Sequence, residues 1–137
     1  MSEGLLYLDS SALVKLVLPE AETGALLEAL SDWPERISSA LAGIEVLRAA
    51  RRAGAGDRVR ERAEKVISGI GLVRVDEAVL GVAARLEPAE LRTLDAIHLA
   101  TALSAGDDLG AMVCYDARLA RAATRLGVTM MAPGAEG

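Results

Sequence analysis

Short apolar runs alternate along this chain with longer segments in which apolar residues recur every three or four positions. Five runs have strand length: Leu5–Leu8, Ile37–Ala40, Leu72–Val75, Met112–Cys114 and Val128–Met131. Seven segments show helical spacing: Ser11–Leu18, Ala21–Leu30, Leu41–Ala53, Asp57–Ser68, Glu77–Leu86, Thr93–Ser104 and Ala117–Leu126. Strands that alternate with helices predict an α/β domain with a mainly parallel sheet of about five strands. Because helices outnumber strands, we expect two or three of them to stack as a separate layer.

The length of 137 residues predicts one domain over residues 1–137, with a loose tail at 133–137. No apolar run approaches the ~20 residues needed to cross a membrane. The start MSEGLLYLDSS lacks the features of a secretory signal. With Cys114 as the only cysteine, these features predict a cytoplasmic protein without disulfides or membrane contact. The hydrophobic content of 52% is high for this length and predicts a protein partner or a dimer.

Charge is distributed unevenly along the chain. The formal net charge is −5, which is not typical of a simple nucleic-acid-binding protein. Residues 48–65 nevertheless carry seven basic and three acidic side chains, and such a run is most often a solvated helix face. With no Phe, two Tyr and one Trp, a platform for stacking bases is not expected.

Four carboxylates interrupt apolar patterns. Asp9 and Asp116 each follow a predicted strand, whereas Glu45 and Asp95 lie within apolar helices. Each has an ordinary structural interpretation: Asp9 and Asp116 would cap helices, Asp95 would be a first-turn acid behind a Thr93 cap, and Glu45 would face solvent. Adjacent parallel strands end at the same edge of a sheet, so Asp9 and Asp116 would converge there. Asp95 and Glu45 could reach the same edge from their helices.

Four clustered carboxylates repel one another, by roughly 3 kcal/mol per pair at ~5 Å and an effective dielectric of ~20. A divalent cation removes this repulsion, and an all-oxygen ligand set suits Mg²⁺ or Mn²⁺. Such a site activates water for attack on a phosphodiester. It would also let an acidic protein act on a polyanion.

Other motifs are weaker. GAGDRV at Gly54 follows a helix rather than a strand and indicates a turn. A nucleophilic pair of Cys114 with His98, the only histidine, stays open without local support. Haloacid-dehalogenase-like phosphatases need a second Asp where this chain has Ser11. A phosphate-receiver domain needs a late lysine, and the chain has only Lys15 and Lys65.

Four segments in this order carry a family resemblance: YLDSSALVKL, GIEVLRA, LDAIHLATAL and CYDARLARAA. Together they resemble PIN-domain ribonucleases, and more narrowly the VapC-type toxins of bacterial toxin–antitoxin pairs, from about Leu5 to Met131. The resemblance implies a three-layer α/β/α fold and an endoribonuclease dependent on Mg²⁺ or Mn²⁺. It implies that Asp9, Glu45, Asp95 and Asp116 are the catalytic, metal-holding acids, supported by Ser11. Many members carry Thr or Ser where this chain has Cys114, which puts the support of Asp116 in doubt.

The resemblance also implies partners: an RNA substrate, a small cognate antitoxin and a second copy of the chain in a homodimer. Arginines that follow two of the acids, Arg48, Arg51 and Arg118 among them, are candidates for contacts with RNA phosphates. The apolar segment from Ser11 to Trp33 is a candidate groove for an antitoxin helix. A catalytically silent PIN-fold module that binds RNA or protein is the alternative function. The sequence does not indicate which RNA would be cut.

Overall fold

A computed structural model describes residues 2–54 and 56–135. Its sheet has five strands, all parallel where they pair, in the spatial order β3-β2-β1-β4-β5. The strands are β1 (Leu5–Leu8), β2 (Arg36–Ser39), β3 (Gly71–Val73), β4 (Leu109–Val113) and β5 (Met130–Met131). All five predicted strands are therefore present: the bounds of β1 agree with the prediction, and those of the other strands are displaced by at most three residues.

Seven α-helices and one short 3₁₀ helix (Gly106–Asp108) connect the strands in the described part of the chain. The α-helices are α1 (Ser10–Val17), α2 (Thr23–Leu30), α3 (Ala42–Arg52), α4 (Asp57–Ser68), α5 (Glu77–Arg85), α6 (Thr93–Leu103) and α7 (Ala117–Arg125). Helix α6 begins at Thr93 with Arg92 as its N-cap residue. The expectation of a Thr93 cap is therefore wrong.

Alternation along the central strands distributes the core between two faces of the sheet. Leu6 and Leu8 of β1 pack in the cluster that includes residues of α1 to α4, whereas Tyr7 packs with α6 and α7. Neighbouring strand β4 repeats this alternation, because successive side chains of a strand point to opposite faces. The result is three layers, α1–α4, the sheet and α5–α7, which confirms the predicted α/β/α fold.

The strand order creates a switch point at the carboxyl end of the sheet. From β1 the chain moves to β2 and β3 on one side, and β4 and β5 lie on the other. The gap between β1 and β4 is where open α/β sheets place their ligands. Residues that directly follow β1 and β4 therefore lie at the edge where a site is expected.

The amino-terminal edge of the sheet is closely packed, and one hydrogen bond joins the chain end to the segment after β4. Trp33 lies so close to Gly110 that a Cβ there would be 2.5 Å from its ring. The Tyr115 hydroxyl donates to the carbonyl of Pro133, the first residue of the predicted loose tail, at 2.7 Å. Glu136 and Gly137 of that tail lie outside the described residues. No described helix is long and apolar enough to cross a membrane.

Candidate active site

The four predicted acids line one cleft of about 720 Å³ at the carboxyl edge of the sheet. Asp9 reaches it from the end of β1, Asp116 from the segment after β4, Glu45 from α3 and Asp95 from α6. Elements from both helical layers therefore contribute to the same concave surface. Ser11 and Tyr115 also line it.

Asp9 is the most deeply buried of these acids, with 3% of its surface exposed. Its Oδ1 accepts from the Ser11 hydroxyl at 2.6 Å and from the Ala12 backbone N–H at 3.0 Å. The second bond is the N-cap of α1, so the ordinary capping interpretation is correct and does not exclude another role. Burial nevertheless raises the pKa of the Asp9 carboxyl, and the bonds from Ser11 and Ala12 oppose that rise.

Asp116 caps α7 in the same way, because its Oδ1 accepts from the backbone N–H groups of Arg118 and Leu119. The Cys114 thiol supports its backbone: the sulfur accepts from the Asp116 N–H at 3.3 Å and donates to the Asp116 carbonyl at 3.4 Å. A thiol thus makes the two local bonds that a hydroxyl would make. Burial, with the nearby Asp9 charge, raises the pKa of the Cys114 thiol.

Asp95 lies in the first turn of α6, and its pKa is affected by the charges of other acids in the cleft. Burial raises the pKa of its carboxyl, and the charges of Asp116 and Asp9 raise it further. Arg92 opposes this rise. Asp9 and Asp116 are therefore close enough to Asp95 for their charges to act on its carboxyl group, as expected from a shared edge of the sheet.

Glu45 is held by a histidine of another helix, whereas Asp9 and Asp116 are held as helix caps. Its Oε1 lies 2.7 Å from Nε2 of His98, and Nδ1 of His98 lies 2.7 Å from the Tyr7 hydroxyl. The interpretation of Glu45 as a solvent-facing side chain is wrong, since only 20% of that side chain is exposed. The Cys114–His98 pair is also wrong, because both ring nitrogens of His98 and the Cys114 sulfur have other partners.

Sequence reasoning missed several residues of the cleft. Lys15 lies at its wall, nearly buried, with its ammonium bonded to Glu20 and Glu22 and 4.7 Å from the centre of the Tyr115 ring. Arg92 was also missed, although its position three residues before Asp95 was a usable signal. Glu20 and Glu22 lie five and seven positions after Lys15, whereas its contact with Tyr115 joins residues that only the fold brings together.

The candidate phosphate-binding arginines are spread over two surfaces. Arg48 lines the acidic cleft together with Arg52 and Arg92, whereas Arg51 does not. Arg118 lines a separate groove of about 430 Å³ with Arg121 and Arg125. Among the described residues, none of these seven arginines forms an ion pair.

The donor chemistry of the cleft suits a hard cation. Its acids offer oxygen only, His98 has partners on both ring nitrogens, and the raised pKa of Cys114 disfavours a thiolate. Within residues 2–54 and 56–135, no three histidine, cysteine, aspartate or glutamate side chains are placed to hold a metal ion together. Mg²⁺ retains several waters and needs only one or two protein carboxylates, so a wide acidic cleft still fits it.

Comparison with known proteins identifies the family. The family model described as the PIN domain matches residues 6–125. The chain belongs to the PIN-domain family. This match spans β1 to α7 and so contains all four acids of the cleft.

Curated relatives of this PIN-domain chain include three ribonucleases of Mycobacterium tuberculosis. Ribonuclease VapC46 is 48% identical over 128 residues, which is 93% of this chain and 97% of the relative. Ribonuclease VapC47 is 38% identical and Ribonuclease VapC35 is 40% identical, with at least 95% of this chain and 98% of each relative covered. Near full-length matches of this kind assign the chain to the VapC-type PIN toxins.

Solved structures share the fold at lower identity. M. tuberculosis VapC20, a toxin that cleaves the sarcin–ricin loop, superposes with a TM-score of 0.70 at 16% identity, covering 85% of this chain and 94% of VapC20. A chain of a toxin–antitoxin complex from Klebsiella pneumoniae superposes with a TM-score of 0.64 at 21% identity, covering 81% and 86%. At these identities the likeness concerns the fold alone.

Proposed function

We propose that this chain is an endoribonuclease toxin that depends on Mg²⁺ or Mn²⁺ and is controlled by a small antitoxin. The observation that carries the proposal is the meeting of four carboxylates in one cleft at the β1/β4 switch point of a PIN-family fold. The near full-length likeness to proteins named ribonucleases supports the substrate class. The acids alone would repel a polyanion, so the proposal needs a cation in the cleft.

Asp9, Asp95 and Asp116 would surround the cation, one or two of them bound directly and the others through water, with Glu45 lining the same cleft from α3. When bound, the cation would lower the pKa of a water and offset charge on the phosphate under attack. Ser11 would fix the Asp9 carboxylate through its bond to Oδ1. Burial around Asp9 keeps bulk water from solvating that carboxylate, which strengthens its attraction for a cation.

Arginines at two surfaces would hold the RNA backbone on either side of the cleft. Arg48, Arg52 and Arg92 lie at the cleft, and Arg118, Arg121 and Arg125 lie in the neighbouring groove. Guanidinium groups bind phosphates in a bidentate manner, independent of base sequence. Changing Arg48 and Arg118 to Gln should weaken RNA binding and flatten its salt dependence, whereas Arg51→Gln, outside the cleft lining, serves as the matched control.

An antitoxin helix would bind the apolar surface between α2 and α4. A groove of about 220 Å³ is lined there by Leu16, Leu27, Val66 and Ile70, among others, and Leu27 is 56% exposed. Five of the nine large apolar residues between Leu13 and Trp33 are core. Of the other four, Leu16 and Leu27 line this groove. Co-expression with the small reading frame next to this gene should yield a complex without RNase activity, and Leu27→Glu should release it.

The deciding experiment uses purified protein and an RNA whose ends can be sequenced. Wild type should cleave with Mg²⁺ or Mn²⁺, lose cleavage in EDTA and recover it on metal addition, whereas Asp9→Asn should not cleave. RNA ends mapped after induced expression of wild type and of Asp9→Asn would name the target. Cleavage that survives EDTA, or that is normal in Asp9→Asn, would contradict the proposal; tight RNA or protein binding without cleavage would favour the silent-module alternative.

A further inference from the structure

A chain of three polar side chains links the middle of the sheet to the acidic cleft. Tyr7 of β1 is fully buried and lies 2.7 Å from Nδ1 of His98. His98 of α6 is 1% exposed, and its Nε2 lies 2.7 Å from Oε1 of Glu45. The three residues come from the sheet and from helices on its opposite faces, so only the folded protein assembles them.

The direction of the hydrogen bonds follows from the chemistry of Tyr7 and Glu45. Burial raises the pKa of the Tyr7 hydroxyl, so it keeps its proton. The nearby hydroxyls of Ser38 and Thr101 already donate to the carbonyls of Leu8 and Ile97. A carboxylate only accepts, so the bond between Glu45 and His98 places a proton on Nε2 of the ring. In the tautomer with its proton on Nε2, Nδ1 accepts from the Tyr7 hydroxyl.

The bond to His98 engages only one oxygen of Glu45. Among the described residues, Oε2 accepts no hydrogen bond, and it is not one of the buried side-chain atoms that lack a partner. Because Glu45 lines the cleft, fixing Oε1 to a buried imidazole leaves Oε2 as the oxygen available there. Partners of this kind orient metal-binding carboxylates in other proteins and affect metal affinity strongly.

We propose that Tyr7 and His98 form a buried relay that positions Glu45, with His98 in its Nε2–H tautomer and the Glu45 Oε2 oxygen presented to a divalent cation. The inference rests on the proposed function, because it assumes that Glu45 faces the cation. His98 is a positioning residue here, since it acts through Glu45.

The first test measures Mn²⁺ binding without RNA, by electron paramagnetic resonance of free Mn²⁺. His98→Asn keeps an amide near Nδ1 but cannot reach Glu45, and it should weaken Mn²⁺ binding by about 10- to 100-fold. His98→Gln places an amide donor near the position of Nε2 and should restore much of the affinity. Tyr7→Phe, which leaves Nδ1 without a donor, should show a smaller loss than His98→Asn.

Stability needs a matched control because His98 is buried. Leu26→Ala removes a fully buried side chain of α2, in the cluster on the face of the sheet opposite to Tyr7. It should lower the melting temperature and leave Mn²⁺ affinity unchanged. If Leu26→Ala weakens Mn²⁺ binding as much as His98→Asn at equal loss of stability, the relay is overturned.

The tautomer can be observed directly. His98 is the only histidine, so one long-range ¹H–¹⁵N spectrum of the imidazole needs no assignment. We expect a protonated Nε2 and an unprotonated Nδ1 in wild type, and a mixture of tautomers in Tyr7→Phe. A ring protonated at Nδ1 alone would overturn the relay.

Steady-state kinetics separate this inference from the proposed function. At saturating metal, His98→Asn should lower kcat on RNA while leaving KM for RNA unchanged. If Glu45→Gln binds Mn²⁺ and cleaves RNA as wild type does, the proposed role of Glu45 fails. If Glu45→Gln loses both but His98→Asn loses neither, only the relay fails.

Discussion

The ends of β1 and β4 look alike in sequence and differ in the folded protein. Each strand is followed by an aspartate that caps the next helix, Asp9 for α1 and Asp116 for α7. Asp9 is almost fully buried and its pKa is raised by that burial. Asp116 is only partly buried, and its Oδ1 accepts from the backbone N–H groups of Arg118 and Leu119. The two capping carboxylates therefore differ in burial.

The supporting residues differ as well. Ser11 donates to the Asp9 carboxylate itself and accepts from the Tyr115 N–H, which ties the two strand ends together. Cys114 bonds to the backbone of Asp116, and its thiol also lies near enough to Asp9 to lower the pKa of that carboxyl. The Asp9 carboxylate is therefore stabilised by side chains from both strand ends, whereas the hydrogen bonds of the Asp116 carboxylate come from the backbone of α7. We infer that function depends more on Asp9 than on Asp116.

The difference between Asp9 and Asp116 is tested most strongly by removing each charge separately. Asp9→Asn should lower RNA cleavage by about 10²- to 10³-fold, the range seen when one preorganised electrostatic group is removed from an active site. Asp116→Asn should lower it less, because water can more easily take the place of a carboxylate that is only partly buried. Cleavage rates on one RNA oligonucleotide measure both.

Fold integrity must be shown for the same two variants. Both asparagines can still cap their helices, since Asn is as good an N-cap as Asp. Circular dichroism of the two proteins should therefore match wild type. Equal losses of activity at the two positions would contradict the inference that function depends more on Asp9 than on Asp116.

Metal binding tests the same difference between Asp9 and Asp116 through protein stability rather than through the cleavage rate. A cation that binds only the native state at 100 times its Kd would stabilise the protein by about 2.7 kcal/mol. Mg²⁺ or Mn²⁺ should therefore raise the melting temperature of wild type. Asp9→Asn should lose most of this shift and Asp116→Asn only part of it. A shift that is unchanged in Asp9→Asn would place the cation elsewhere.

How much of this site the sequence predicts depends on how local each contact is. The strand-end positions of Asp9 and Asp116 follow from apolar runs that stop, and the shared edge follows from parallel pairing. The fold follows similarly, because five strands and seven helices each carry their own periodicity. Boundaries such as the start of β4 at Leu109 were missed, since Leu109 and Gly110 carry no distinctive pattern.

Contacts distant in sequence were not predictable from one chain. Glu45 and His98 are separated by 53 positions, and Tyr7 and His98 by 91. Nothing in local spacing links an acid on α3 to an imidazole on α6. The lone His98 was weighed only as a partner for Cys114, because the residues that engage it are brought near only by the packing of three elements.

The pH dependence of metal-free protein offers a smaller effect with a definite sign. The folded-state pKa values of Asp9 and Asp95 are raised, so the native state binds more protons than the unfolded state between the ordinary and the raised pKa. Stability must then fall as pH rises through that window and become constant above it. Urea midpoints measured in EDTA should show this fall in wild type.

Substitution at Asp9 isolates its share of that titration. The stability of Asp9→Asn relative to wild type should increase as pH rises through the window, because only wild type then acquires the buried charge. A relative stability that does not vary with pH would mean that burial of Asp9 carries no titration cost. The part that remains in Asp9→Asn belongs to Asp95 and to other carboxyl groups.

The smallest effect concerns the thiol at the β4 end. Cys114→Ser keeps a donor and an acceptor for the Asp116 backbone and should leave cleavage near wild type. Cys114→Val has similar volume but neither bond, and should destabilise the protein by about 1 kcal/mol, as measured by urea unfolding. Because a thiol is a weak donor to the carboxylate of Asp9 and the valine leaves that carboxylate in place, the valine variant should reduce cleavage far less than Asp9→Asn does. At the β1 end the matched change, Ser11→Ala, removes a bond to the carboxylate itself and should reduce cleavage more than Cys114→Val. The opposite ranking would show that the position of Asp116, rather than the fixing of Asp9, limits the reaction.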